Sequence, residues 1–258
     1  ERSGASGHPP ASILLTGETG TGKDLLATLL HSRLPHRNGP FVSVNCAAIP
    51  SELFESELFG HKRGSFSGAT ADKAGLFETA DEGSLLLDEI AELPLPLQSK
   101  LLRAIETQTI RRVGETTDRP VSLCLIAATN RNLEQCVSDG RFRGDLYYRL
   151  KLATFELPPL RNRGGDIDLL ADSFCEKLAV KYAQPRFTLS AEARTALHSY
   201  SWPGNVRELL YTLERAVLTT SGPLIQSLDL VRKLGSVSAT SSHPLTNLLA
   251  PLIAGQPI

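Results

Sequence analysis

A chain of 258 residues is long enough to bury a substantial core and to hold one large domain beside a smaller one. Its charges balance, 27 Lys and Arg against 28 Asp and Glu, so no overall field points to nucleic acid or to a membrane surface. Four separated cysteines, Cys46, Cys124, Cys136 and Cys175, form no C-x-x-C pair, which argues against a zinc site or a disulfide framework and fits a reducing, cytoplasmic setting. No run approaches the ~18 apolar residues of a membrane span, and no basic-then-apolar leader opens the chain. A sequence without methionine is expected to be a segment of a longer protein.

Residues 1–10 read as a linker. The apolar run Ile13-Leu14-Leu15 then feeds Gly17-Glu18-Thr19-Gly20-Thr21-Gly22-Lys23-Asp24, and a helical pattern covers 23–34. Glycines let such a loop turn its backbone N–H groups into one concavity, and the helix N-terminus behind it adds a positive dipole end. The spacing G-x-x-x-x-G-K is that of a Walker A loop, in which Lys23 reaches the β- and γ-phosphates of a nucleotide. Asp24 stands where Ser or Thr usually follows. A carboxylate there either approaches the metal or is a first-turn acid stabilised by the helix dipole.

Short apolar runs recur at 41–44, 85–87, 123–128 and 152–157, separated by helical patterns at 51–59 and 97–107. Buried strands alternating with helices predict a parallel sheet covered on both faces, whose ligand sits beyond the carboxyl ends of the strands. One strand ends in Asp88 and Glu89. Asp88 is placed to hold Mg²⁺, through water, and Glu89 to orient or deprotonate an attacking water. Taken alone, the pair is equally a solvated acidic turn; beside the phosphate loop that reading recedes. Thr129-Asn130 closes another strand, where Asn130 could contact the γ-phosphate or the water, although Thr-Asn also starts turns.

After residue 160 the pattern changes to helical segments near 166–182, 190–200 and 205–220, with no strand expected between them. Ser190 reads as an N-cap, and Pro203-Gly204 breaks the chain before Asn205. The expected organisation is therefore an α/β nucleotide-binding domain at 11–160, a small all-helical domain at 161–232 and a flexible tail at 233–258. Beyond Lys233 there is no Lys or Arg, so no DNA binding is expected from this segment.

Several motifs occur together in one order: 17–24, Asn45, 55–61 (Glu-Ser-Glu-Leu-Phe-Gly-His), Gly64-Ser65-Phe66-Ser67-Gly68-Ala69, 87–90, 142–149 (Phe-Arg-Gly-Asp-Leu-Tyr-Tyr-Arg) and 202–209 (Trp-Pro-Gly-Asn-Val-Arg-Glu-Leu). The chain resembles, over roughly 11–222, the AAA+ domain of the bacterial enhancer-binding proteins that activate sigma-54 RNA polymerase. The resemblance implies a P-loop AAA+ ATPase fold, a parallel five-stranded sheet followed by a helical lid, and ATP with Mg²⁺ as ligands. It implies ATP hydrolysis coupled to remodelling of the sigma-54 holoenzyme in a hexameric ring.

It also implies roles for particular residues. The loop at about 60–72 would present 64–69 to sigma-54, with Phe66 as an apolar anchor lacking a partner within 64–69. Ser65 and Ser67 replace the family's Ala and Thr, and a serine keeps the hydroxyl but drops the methyl. Asn45 would couple to Glu89. Arg149 and Arg143 match the arginine-finger region, with Arg149 the more catalytic and Arg143 interfacial; salt bridging, for example to Asp145, is the plainer reading. Arg207 would report the nucleotide to the lid, and Trp202 would pack. Arg161 and Arg163 open the lid, followed by Gly164 and Gly165. In this family an acid, usually Glu, follows the Walker lysine, so Asp24 fits. Two other readings stay open: a ring ATPase acting on another protein, and a P-loop binding module or phosphotransferase.

Overall fold

The computed structural model describes residues 12–35 and 37–228; the expected linker 1–10 and tail 233–258 lie outside the described residues. Five strands form the main sheet: β1 Ile13–Thr16, β2 Phe41–Asn45, β3 Ser84–Asp88, β4 Cys124–Thr129 and β5 Ala153–Glu156. All pairings are parallel, in the order β2-β3-β4-β1-β5. Successive side chains point to opposite faces, so each inner strand feeds two cores. Leu85, Leu87, Leu125 and Ala127 enter the larger one. Leu86, Ile126 and Ala128 join Ile13, Leu15 and Ala27 in the other. This is why these strands read as unbroken apolar runs.

The helices are α1 Lys23–His31, α2 Phe54–Phe59, α3 Leu76–Thr79, α4 Leu95–Thr107, α5 Leu133–Ser138, α6 Gly144–Leu150, α7 Gly164–Lys181, α8 Ala191–Ser199 and α9 Asn205–Thr219. Helix α1 stops three residues short of the predicted Leu34, because Pro35 disfavours helical backbone at the residue before it. Helix α2 starts later than the predicted residue 51, since the chain after Pro50 makes a turn closed by Leu53 N donating to Pro50 O. Among the described residues no helix is long and apolar enough to cross a membrane.

The lid consists of α7, α8 and α9, with Ser190 Oγ capping α8 by accepting from Ala193 N. One expectation needs correction. Thr188–Leu189 pairs in parallel with Leu224–Ile225, so a strand does separate α7 from α8. The pattern buried Phe187, exposed Thr188, buried Leu189 has the period of a strand but is too short to register in sequence. Trp202 is fully buried, donates Nε1–H to Leu197 O at 2.8 Å and packs edge-on against Tyr200. Trp202→Ala is therefore expected to destabilise the lid by about 3–5 kcal/mol, measured as a shift of the denaturation midpoint.

Candidate active site

The phosphate loop leaves β1 at the carboxyl edge of the sheet. Gly22, at φ 99°, caps α1 in a backbone region that suits glycine. Thr21 closes the turn, its Oγ1 donating to Glu18 O at 2.8 Å. Lys23 is buried, and its ammonium arches back to donate to Gly17 O at 2.9 Å and Glu18 O at 3.2 Å. Asp24 is exposed in the first turn of α1 and enters no ion pair among the described residues, the position in which the helix dipole favours an acid.

Strand β3 delivers the acids next to the loop. Asp88 Oδ1 accepts from Glu89 N at 3.0 Å, and Glu89 holds left-handed backbone, φ 54° and ψ 48°. A non-glycine residue there costs roughly 1–2 kcal/mol, so the surrounding fold imposes the pose. Asn130, at the end of β4, joins the pieces: its Nδ2 donates to Thr19 Oγ1 at 2.8 Å and its backbone N–H to Glu89 Oε2 at 3.4 Å. Burial first, then the fields of Asp88, Glu89 and Glu92, pushes the Cys46 thiol up to about 12. Neither Asp88 nor Glu89 forms an ion pair among the described residues. An uncompensated acidic pair at the tip of a strand beside a phosphate loop fits a divalent cation.

Asn45 lies opposite Asp88 in the strand register, yet its Oδ1 accepts from Ala47 N at 2.8 Å and caps the short turn Cys46–Ala48. No hydrogen bond joins it to Glu89 in this structure.

The lid meets the back of the loop. Arg161 donates to both carboxylate oxygens of Glu18, at 2.9 and 2.6 Å, and Asn205 Nδ2 donates to Glu18 Oε2 at 3.1 Å. Sequence reading placed Glu18 among nucleotide-binding residues and gave Asn205 no partner. The Arg161 hydrogen bonds first, then Asn205, hold the Glu18 carboxyl down at about 2, against 4.5 ordinarily. A depressed carboxylate keeps its contacts fully above pH 4.5 and loses them as pH falls through about 2. A carbon-detected NMR titration of Glu18 is expected to show a midpoint far below 4.5, with no change between pH 5 and 8. Arg207, at the first turn of α9, is exposed and its backbone N–H donates to Gly20 O at 3.3 Å. A Cβ at Gly20 would stand 2.4 Å from Gly204 O, so this glycine is what lets loop and lid touch.

Two arginines at α6 differ, Arg149 within the helix and Arg143 at its N-cap. Arg143 is paired bidentately with Asp145 at 3.0 and 2.6 Å, the plainer reading for that residue. Arg149 enters no ion pair among the described residues, and its Nε is buried without a hydrogen-bond partner.

Away from the nucleotide edge, α2 runs into a hairpin whose base pairs Gly60–His61 with Lys73–Ala74. Its 64–69 tip is closed by Gly64 N to Ala69 O at 2.8 Å and Ala69 N to Phe66 O at 3.1 Å. Phe66 is 39% exposed and has a partner just outside the tip: its ring meets His61 edge-on at 5.0 Å. His61 is itself bonded through Nδ1 to Ser56 Oγ at 2.7 Å. Ser65 Oγ donates to Lys62 O at 2.8 Å, a bond that the family's alanine could not make. A second loop, 111–118, leans on this hairpin: Lys62 N donates to Val113 O, Val113 N to Gly60 O, and Gly114 lies against Ser65. Sequence reading missed this loop, whose only local signal is Gly114.

A phosphate loop, strand-end acids, a polar strand end and a helical lid define an AAA+ nucleotide-binding core. Residues 4–156 match the family described as "Sigma-54 interaction domain" and residues 161–246 the "AAA+ ATPase lid domain". The chain belongs to the sigma-54 interaction domain family. It is 49% identical to the regulatory protein AtoC of Escherichia coli over 85% of this chain and 48% of that one. It is 48% identical to the sigma-54-dependent transcriptional activator SfnR of Pseudomonas putida over 85% of this chain and 60% of that one. NtrX from Brucella abortus in complex with ATP superposes with a TM-score of 0.79 at 34% identity, covering 94% of this chain and 54% of that one. Hsp104 shares the fold alone, at 18% identity and TM-score 0.58. The chain thus spans between 40% and 60% of the length of these proteins.

Proposed function

We propose that this chain hydrolyses ATP and uses the cycle to remodel the sigma-54 RNA polymerase holoenzyme, in the cytoplasm, so that a promoter can open. One observation carries the reading: Asn130 touches both Thr19 of the phosphate loop and Glu89, which gathers a phosphate cradle, a general base and a polar guide on one edge. The 17–24 backbone and Lys23 would hold the phosphates. Asp88 would hold Mg²⁺, which would supply charge neutralisation at the transferred phosphoryl group. Glu89 takes the proton of the attacking water as the bond from the γ-phosphorus to the bridging oxygen breaks, and Asn130 guides that water.

Arg149 would complete the site from a neighbouring copy. That requires a closed head-to-tail ring, hexameric in this reading, with Arg143 at the interface. Arg207 would bring the lid to the phosphates, and Asn45 would release its turn and swing to Glu89 in another nucleotide state. The 64–69 tip would meet sigma-54 through Phe66 and Ser67.

The test is capture of purified sigma-54 in the presence of ADP and aluminium fluoride. Wild type is expected to retain sigma-54, and Lys23→Ala to lose both hydrolysis and retention. Ser67→Thr, which restores a methyl group, is expected to strengthen retention. Hydrolysis without any retention would overturn the activator reading and leave a ring ATPase acting on another protein.

A further inference from the structure

The carbonyl groups of the phosphate loop are all engaged within the chain: Gly17 O and Glu18 O accept from Lys23, and those of 19–21 from the lid side. A planar peptide unit carries N–H and C=O on opposite sides, so a loop that turns its amides toward phosphate turns its carbonyls away. Three consecutive carbonyls here accept from the lid side: Thr19 O from Asn205 Nδ2 at 3.0 Å, Gly20 O from Arg207 N at 3.3 Å, and Thr21 O from Arg163 Nη2 at 3.0 Å. Asn205 is the knot among these contacts. It is fully buried, sits at φ 53° where asparagine is tolerated, and accepts through Oδ1 from Leu160 N at 2.8 Å. Its Nδ2 serves both Thr19 O and the Glu18 carboxylate, and Arg161 completes the carboxylate's coordination from the first residues of the lid.

We infer that Glu18, Arg161 and Asn205 are positioning residues that fix the lid's angle against the phosphate loop and thereby set the affinity for the nucleoside triphosphate. The inference rests on the ATPase reading above. If the lid swings, the peptide planes that carry the carbonyls of 19–21 must turn with it, and so must the N–H groups of 20–22 in the same planes. An isolated Glu18–Arg161 pair, with each side chain about half exposed, would contribute little. The buried amide of Asn205 and the absence of room for a Cβ at Gly20 make it part of a packed joint instead.

The test exchanges donor and acceptor across the joint in the full chain. Asn205→Asp sets a second carboxylate against Glu18 and is expected to raise KM for ATP about tenfold or more, by more than kcat falls. Glu18→Gln alone is expected to raise KM about fivefold. In the double variant the glutamine amide can donate to the new carboxylate, and the part of the loss due to the Glu18 contact is expected to return, while the Thr19 O contact stays unmade. Affinity for a fluorescent ATP analogue should move with KM. A double variant no better than Asn205→Asp, or wild-type KM in both single variants, would overturn the inference. If Asn205→Asp unfolds the lid by circular dichroism, Arg161→Gln takes its place: a KM rise supports the joint, and an unchanged KM sinks it. Wild type that binds the analogue but turns over no ATP would refute the ATPase reading alone, because analogue affinities of the variants still report on the joint.

Discussion

Arg149→Ala is expected to lower kcat for ATP hydrolysis about 10³-fold, the scale on which an arginine that stabilises developing phosphoryl charge from outside the binding loop acts. Two features single out this residue. Its Nε is buried without a hydrogen-bond partner, whereas a buried donor is nearly always satisfied, which marks this guanidinium as unusual. Arg143, the alternative at the N-cap of the same helix, already donates Nε and Nη2 to Asp145. The substitution should leave the fold intact, since the Arg149 backbone carbonyl still accepts from Ser12 Oγ. Mixing Arg149→Ala with Glu89→Gln subunits is expected to restore part of the activity, because some interfaces then combine an intact Glu89 with an intact Arg149. Mixtures no more active than the sum of their parts would place Arg149 outside catalysis between subunits.

Glu89→Gln is expected to cost about 10²–10⁴-fold in kcat with little change in the affinity of an ATP analogue. The glutamine oxygen can still accept from Asn130 N, and the left-handed backbone at 89 is set by its surroundings, so the geometry persists while the proton acceptor is lost. Single-turnover measurement separates this from slow release: the burst itself should be slowed. A variant that keeps more than about a tenth of wild-type turnover would assign the proton to another group.

The sheet and the nucleotide edge were legible in sequence because both follow from local pattern. Buried parallel strands show as apolar runs, and the polar residues that end them, Asp88, Glu89 and Asn130, must emerge on the same edge as the glycine loop. The ends of α1 and α2 were misplaced by residues that proline and a turn decide, and the Thr188–Leu189 strand was too short to show a period. The role of Glu18 was hidden for a different reason. Its partners stand 143 and 187 positions away, and no local pattern encodes a contact made only when the lid folds onto the loop. Likewise Phe66 could be picked out as an apolar residue in a polar tip, but the His61 ring beneath it needs the hairpin to close. Sequence reading already set Arg149 apart from Arg143 and named Asp145 as a salt-bridge partner; the geometry adds that Arg143 is the one that takes it.

The join between the 60–72 hairpin and the 111–118 loop bears on how this surface can be re-engineered. Val113 continues the ladder of Gly60 and Lys62, and the missing side chain of Gly114 makes room for Ser65. The two segments therefore behave as one graft unit: a chimera that imports the tip of a relative must import its neighbour as well, or the transplanted tip will arrive with no bed to lie on.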